Sequence, residues 1–141
     1  MKEIELKNLI SLSLPFLFLS HALACTGQPG QTRDINFEFN SSALSNSEIL
    51  SLANWIVDTG ATRSTLEGIS VIGLADTRER NPQRIAEERA KNAKDALLVL
   101  GVRSATTEVA AHVYKPAKPG SKYEPTGTRA EVTLIPACLN N

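Results

Sequence analysis

Aromatic residues are scarce, at 5% of the chain, and the charges cancel, with 15 Lys and Arg against 15 Asp and Glu. A chain with no net positive charge lacks the electrostatic drive toward nucleic acid, and few aromatics leave little for bases to stack on. Two cysteines and two histidines are too few for a zinc cage of those residues alone. Apolar residues are not lacking: 42% hydrophobic and 21% charged is the balance of a globular protein, not of a disordered one. With 141 residues, the length suits a single domain.

The N-terminus reads as an address. Lys2 and Lys7 precede a mostly apolar run at residues 9–19 (LISLSLPFLFL), and Ala22-Leu23-Ala24 stands just before Cys25. The run is shorter than the ~20 residues that span a bilayer. A charged start, a short apolar core and a small-x-small site predict a secretory signal peptide over residues 1–24, removed on export. The destination predicted is the periplasm, with outer-membrane association if the mature N-terminus is lipidated.

Cys25 would open the mature chain, and two fates exclude one another. Ala22-Leu23-Ala24-Cys25 resembles a bacterial lipobox with its first two preferences swapped, which implies a thioether-linked lipid. Alternatively, Cys25 pairs with Cys138 in an oxidising compartment, a bridge worth about 4–5 kcal/mol in the chain-entropy model. The bridge is preferred of the two, because it leaves no odd thiol in an exported protein.

Residues 25–33 carry Gly, Pro and Gln and predict a flexible leader. The domain is expected over 34–136, with a tail at 137–141. Ile35, Phe37 and Phe39 alternate with polar residues, as in a half-buried strand. Ser45 and Glu48 form a capping box before a helix whose apolar face holds Ile49, Leu52, Ala53 and Ile56, stopped at Gly60. Residues 66–75 (LEGISVIGLA) are apolar on both faces and predict a central strand. Pro82 opens a second helix with its stripe at Ile85, Ala86, Ala90, Ala93, Ala96, Leu97 and Leu100, ended by Gly101. Residues 108–114 and 129–135 are strands around a proline-rich loop. The order β-α-β-α-β-β predicts an α+β fold, with two helices over one face of a four-stranded mixed sheet.

Arg89 lies four residues after Ile85 and four before Ala93, on or beside the helix face that packs on the sheet. A guanidinium there needs a carboxylate or a bound anion. Asp76, at the end of the preceding strand, is the expected partner. Two readings follow: a structural ion pair locking loop to helix, or a ligand site at the carboxyl end of the strand.

Gly73-Leu74-Ala75-Asp76 followed by Ile85-Ala86-Glu87-Glu88-Arg89-Ala90 resembles the G-H-x-D … L-S-x-x-R-A signature of the OmpA-like C-terminal domain family. Phe37-x-Phe39-Asn40-Ser41-x-x-Leu44 resembles the family's first strand and loop, and Thr128-Arg129-Ala130-Glu131-Val132 its closing strand. The resemblance spans residues 34–135 and implies the same β-α-β-α-β-β fold. It also implies non-covalent peptidoglycan binding through the diaminopimelate of the stem peptide, anchoring an envelope protein or complex to the wall. Asp76 would take the ammonium of that amino-acid end, and Arg89 its carboxylate in a two-pronged bond. Backbone amides at Asn40 and Ser41 would take further oxygens. Arg78 matches an arginine of the family's Pal branch and would be a second anion contact, with Thr77 and Asn81 on the same loop.

The sequence departs from the signature at several points. Leu74 replaces the family's His and Ala86 its Ser, and the Asp76-to-Arg89 loop is two residues short. The loop's usual Gly gives way to Glu79 or Arg80, and only Arg129 remains of a closing arginine pair. These departures motivate a second reading, a protein-interaction subunit of an envelope secretion or motor complex with a degraded peptidoglycan site. An enzyme is not expected. No paired catalytic carboxylates, metal set or nucleophile motif stands out, no cofactor is implied, and His112 reads as an ordinary strand histidine.

Overall fold

The computed structural model of the chain describes residues 29–138. The predicted signal peptide and Cys25 lie outside the described residues, and with them the choice between lipid and Cys25–Cys138 bridge. No described helix is long and apolar enough to cross a membrane.

Six elements follow the expected order: β1 (Gln31–Asn36), α1 (Asn46–Thr59), β2 (Leu66–Asp76), α2 (Pro82–Val99), β3 (Ser104–Tyr114) and β4 (Arg129–Pro136). The four strands form one open mixed sheet in the order β1-β4-β2-β3. β4 runs antiparallel to both its neighbours, and β2 and β3 run parallel. The apolar segment around Ile72 is central, as its hydrophobicity on both faces requires.

Register and alternation put Ile35, Ile69, Val71, Ala130, Val132 and Leu134 on one face, where Ile35 stands opposite Ala130, Val71 opposite Val132 and Ile69 opposite Leu134. These residues pack with Leu52 and Ile56 of α1 and Ala90, Ala93 and Leu97 of α2 in a single core. Both helices therefore cover the same face. α1 begins at its Ser45 cap, whose side chain accepts the Glu48 N–H, and ends at Gly60 in the left-handed region, φ 67°. The box is not reciprocal: the Glu48 carboxylate reaches the backbone amide of Asn36 instead, tying α1 to β1.

The strand ends differ from the expectation at two places. β1 starts at Gln31, inside the stretch expected to be a leader, because Gln31 finds a partner in Leu134 of β4. It ends at Asn36, and Phe39 is 52% exposed: the chain has already turned toward Asn40, which sits at φ 60°. β3 starts at Ser104, ahead of the predicted 108, and nearly all of it is exposed.

The closest approach of helix to sheet occurs at Gly73. A Cβ built there would stand 2.0 Å from the Ala86 carbonyl oxygen and 2.8 Å from the Ala90 Cβ. Only glycine lets α2 settle so low, and this descent carries Arg89 into the sheet.

Candidate functional site

Arg89 is completely buried, and so is its partner, but the partner is Glu79. Each end of the Glu79 carboxylate meets one end of the guanidinium, Oε1 with Nη2 at 2.5 Å and Oε2 with Nη1 at 2.7 Å. The remaining donors of Arg89 go to backbone carbonyls: Nε to Ser41 at 2.9 Å, Nη1 to Leu74 at 2.9 Å and Nη2 to Glu38 at 3.1 Å. A guanidinium has five N–H donors, and all five are occupied. The Phe37 ring lies 5.4 Å from the guanidinium carbon, a cation–π contact.

Glu79 is satisfied as fully. Besides Arg89 it accepts the backbone N–H of Asn40 at 2.7 Å and of Asp76 at 2.8 Å. Burial pushes its carboxyl up, but the bonds from Arg89 and from those two amides outweigh burial and leave it below the usual glutamate value. Asp76 is the partner expected for Arg89 from the sequence; in the structure Glu79 takes that place, and it also takes the Asn40 amide that the motif resemblance assigns to a ligand oxygen. Glu79 was missed as a site residue, although it stands where the family's loop glycine is lost.

The surrounding loops hold this arrangement. Glu79 N–H bonds the Asp76 carbonyl at 3.0 Å, closing a tight turn. The Asn40 side-chain oxygen accepts the Arg80 N–H at 2.7 Å, so the Asn40 loop clamps the 77–81 loop. Asn81 enters α2 at φ 49° without a side-chain cap bond. The Ser41 amide donates to the Glu38 carbonyl at 3.0 Å. Asn40 and Ser41 therefore serve the Glu79–Arg89 pair rather than an open anion site.

Asp76 does not meet Arg89. Its carboxylate is gripped by its near neighbour Arg78, Oδ1 by Nε at 2.8 Å and by the backbone N–H at 2.9 Å, Oδ2 by Nη2 at 2.8 Å. These bonds from Arg78 hold the Asp76 carboxyl below the usual aspartate value, against the opposing effect of burial. The pair is lopsided: the Arg78 side chain is 72% exposed and that of Asp76 only 5%. Thr77 and Asn81 are exposed on the same loop.

Asp76 and Arg78 line a cleft of about 370 Å³ with Phe39, Lys118, Glu124 and Thr126. Its far wall is the proline-rich 115–128 loop. Glu124 organises that wall by accepting the backbone amides of Ala117 at 2.6 Å and Lys118 at 2.7 Å, and the Tyr114 hydroxyl at 2.9 Å. Arg129, the survivor of the closing pair, is buried, pairs with Glu131 at 2.5 Å and lies over the Tyr114 ring. It braces the end of the cleft at the start of β4, reaching the Tyr114 ring at the end of β3. The cleft carries charges of both signs around one buried carboxylate, which suits a zwitterionic guest.

No protein-family profile matches the chain, and no curated protein matches it in sequence. Solved structures do. The periplasmic domain of Helicobacter pylori MotB (residues 97–256) is similar at TM-score 0.52 and 17% identity, covering 76% of this chain and 83% of that one. A longer form of that domain (residues 90–256) matches at TM-score 0.52 and 18% identity, over 76% and 74%. The OmpA-like domain of FopA1 from Francisella tularensis matches at TM-score 0.48 and 21% identity, over 75% of each chain. At these identities the likeness concerns the fold, and the fold is that of OmpA-like domains.

Proposed function

We propose that this domain binds peptidoglycan non-covalently by the diaminopimelate end of the stem peptide, in the Asp76 cleft, and so anchors an envelope protein or complex to the cell wall. It acts by binding, not by catalysis, and works in the periplasm. The observation that carries the reading is a buried carboxylate at the edge of an open cleft, gripped by a guanidinium that solvent can reach. The Arg78 side chain is 72% exposed, so it regains water as it turns away, and the cost of the exchange falls on the buried Asp76 carboxylate, which needs a replacement cation. The ligand ammonium then takes its place on Asp76, and Arg78 takes the ligand carboxylate in a two-pronged bond. One ion pair becomes two. In this reading Arg78 does the work that the motif resemblance assigns to Arg89, and Arg89 supports the loop from beneath. Thr77 lies within the same loop as a further polar contact.

A second reading, an envelope protein-interaction subunit with a degraded wall site, is favoured by one observation: Glu79 and three backbone carbonyls together occupy every donor of the Arg89 guanidinium. Co-sedimentation with purified sacculi separates the two. The first reading expects the wild type to sediment, and Asp76→Ala and Arg78→Ala to remain folded in the supernatant. Sedimentation of all three alike removes the cleft as the site, and a wild type that never sediments supports the second reading.

A further inference from the structure

β3 is an open edge. Among the described residues no strand pairs with its outer side. Natural edges are usually blunted by shortness, lysine, proline or a bulge. The opposite edge, β1, is only six residues long and carries Arg33 and Asp34. β3 has 11 residues (SATTEVAAHVY), with no lysine and no proline. Its register with β2 advances without a break from Thr106 to Tyr114. Val109 is 48% and Val113 40% exposed. The edge is long, regular and apolar in its second half.

The backbone direction of this edge can be read from one bond. The Tyr114 carbonyl accepts the Thr77 N–H at 3.3 Å, so Tyr114 turns its backbone toward β2. Alternation then turns the amides and carbonyls of Thr107, Val109, Ala111 and Val113 outward. A second β3 strand laid antiparallel has to satisfy those groups, and only a few registers do so. Glu108 is the one formally charged residue of the strand, and its position chooses among them. Centring the pair on Glu108 sets two carboxylates face to face. Centring it on Val109 leaves Glu108 opposite Ala110. Centring it on Ala110 sets Glu108 opposite His112 of the other copy, twice, at non-hydrogen-bonded positions where side chains stand closest. The same register bonds Val109 with Ala111 and Thr107 with Val113.

We infer that β3 pairs antiparallel with β3 of a second copy of this chain, about a two-fold axis at Ala110, joining two four-stranded sheets into one of eight strands. The contact is self-complementary, as a two-fold dimer requires. It leaves the Asp76 cleft formed by each chain alone, so each dimer presents two wall-binding clefts if the proposed function holds, but the pairing does not depend on it.

Ala110→Cys in the full chain is the direct test. The two Cα atoms at the axis would stand about 4.5 Å apart, within the span of a disulfide, so mild oxidation should give a dimer that reductant dissolves. Ala105→Cys is the control, since this register holds its two copies roughly 33 Å apart, and it should give none. Sedimentation velocity across a concentration series should show a reversible dimer for the wild type. His112→Glu, which opposes two carboxylates, should shift it to monomer, and adding Glu108→His should restore the dimer by exchanging the partners. A wild type monomeric throughout, or crosslinking of the Ala105→Cys variant as readily as of Ala110→Cys, overturns the proposal. So does a dimer indifferent to His112→Glu, or capture of a different protein's strand at β3 in place of self-pairing.

Discussion

Glu79 and Arg89 close on each other with both side chains fully buried, in a two-pronged contact of 2.5 and 2.7 Å. An isolated buried charge is expensive, and removing one member of such a pair typically costs about 3–5 kcal/mol. Glu79→Ala and Arg89→Ala should therefore each lower stability by that order, measured by urea denaturation. Arg89→Lys should recover little, since an ammonium has three donors and cannot reach two carboxylate oxygens and three carbonyls together. Asp76→Ala, which breaks a pair with an exposed partner, should cost clearly less. Equal losses at Asp76 and Glu79 would contradict the assignment of Glu79 as the structural anion.

The same pair sets a dependence on acid. The Glu79 carboxyl is held below its ordinary value of 4.5 in the folded chain. A carboxyl depressed by folding contributes stability above its unfolded value and loses it as pH falls through its folded value. Asp76 shifts in the same direction. Stability should thus be flat near neutrality and fall below about pH 4.5. Glu79→Gln, which keeps the shape but not the charge, should start lower and fall less steeply. Unfolding curves at a series of acid pH values give the comparison.

Most of this fold is legible in the sequence because its local signals agree. Ser45 and Gly60 bracket α1, Pro82 opens α2, and the alternation at Ala130, Val132 and Leu134 marks a strand covered on one face. Tertiary pairing decides what the periodicity missed. Ser104 to Thr107 alternates nothing apolar, yet it is strand because β2 offers a parallel partner. The site was half legible. That Arg89 needs an anion follows from its place on the helix. Which anion it meets depends on a tight turn from Asp76 to Glu79 and on the left-handed residues Asn40 and Asn81, and linear spacing encodes neither. Asp76 is the expected partner because it ends the preceding strand and matches the aspartate of the G-H-x-D motif. In the shortened loop, Glu79 folds inward and Asp76 is left to Arg78.

Gly73 should tolerate no side chain. The clash at Gly73→Ala is with the backbone of α2, not with a flexible tip, so the helix itself must lift. Overpacking commonly costs about 1–3 kcal/mol, and a helix displaced from Leu74 also pulls Arg89 off its carbonyl. The expected loss exceeds that range, and thermal denaturation of the variant reads it directly. A melting temperature like that of the wild type would mean α2 does not sit against β2 as described.

Glu124 should control the far wall of the cleft. Its three bonds to Ala117, Lys118 and Tyr114 replace any regular structure in the 115–128 loop. Glu124→Ala should leave the melting temperature nearly unchanged but speed proteolytic cleavage and amide exchange in this loop. The Tyr114 phenol, raised first by its hydrogen bond to Glu124, should titrate at lower pH in the variant, as seen by ultraviolet absorbance. If wall binding uses the cleft, sacculus affinity should weaken in parallel.

The Glu79 carboxylate can also be supplied from outside. Glu79→Ala leaves Arg89 facing a space lined by the amides of Asn40 and Asp76, which together donate to a carboxylate in the native chain. A small carboxylate such as acetate binding there would stabilise the folded form by mass action, to a degree set by its concentration relative to its dissociation constant. Acetate should raise the melting temperature of Glu79→Ala and leave the wild type unmoved, at constant ionic strength and with chloride as the control anion. Arg89→Ala should show no such response, because its guanidinium is gone. A response of equal size in all three proteins would mean that acetate acts on the solvent and not on this site.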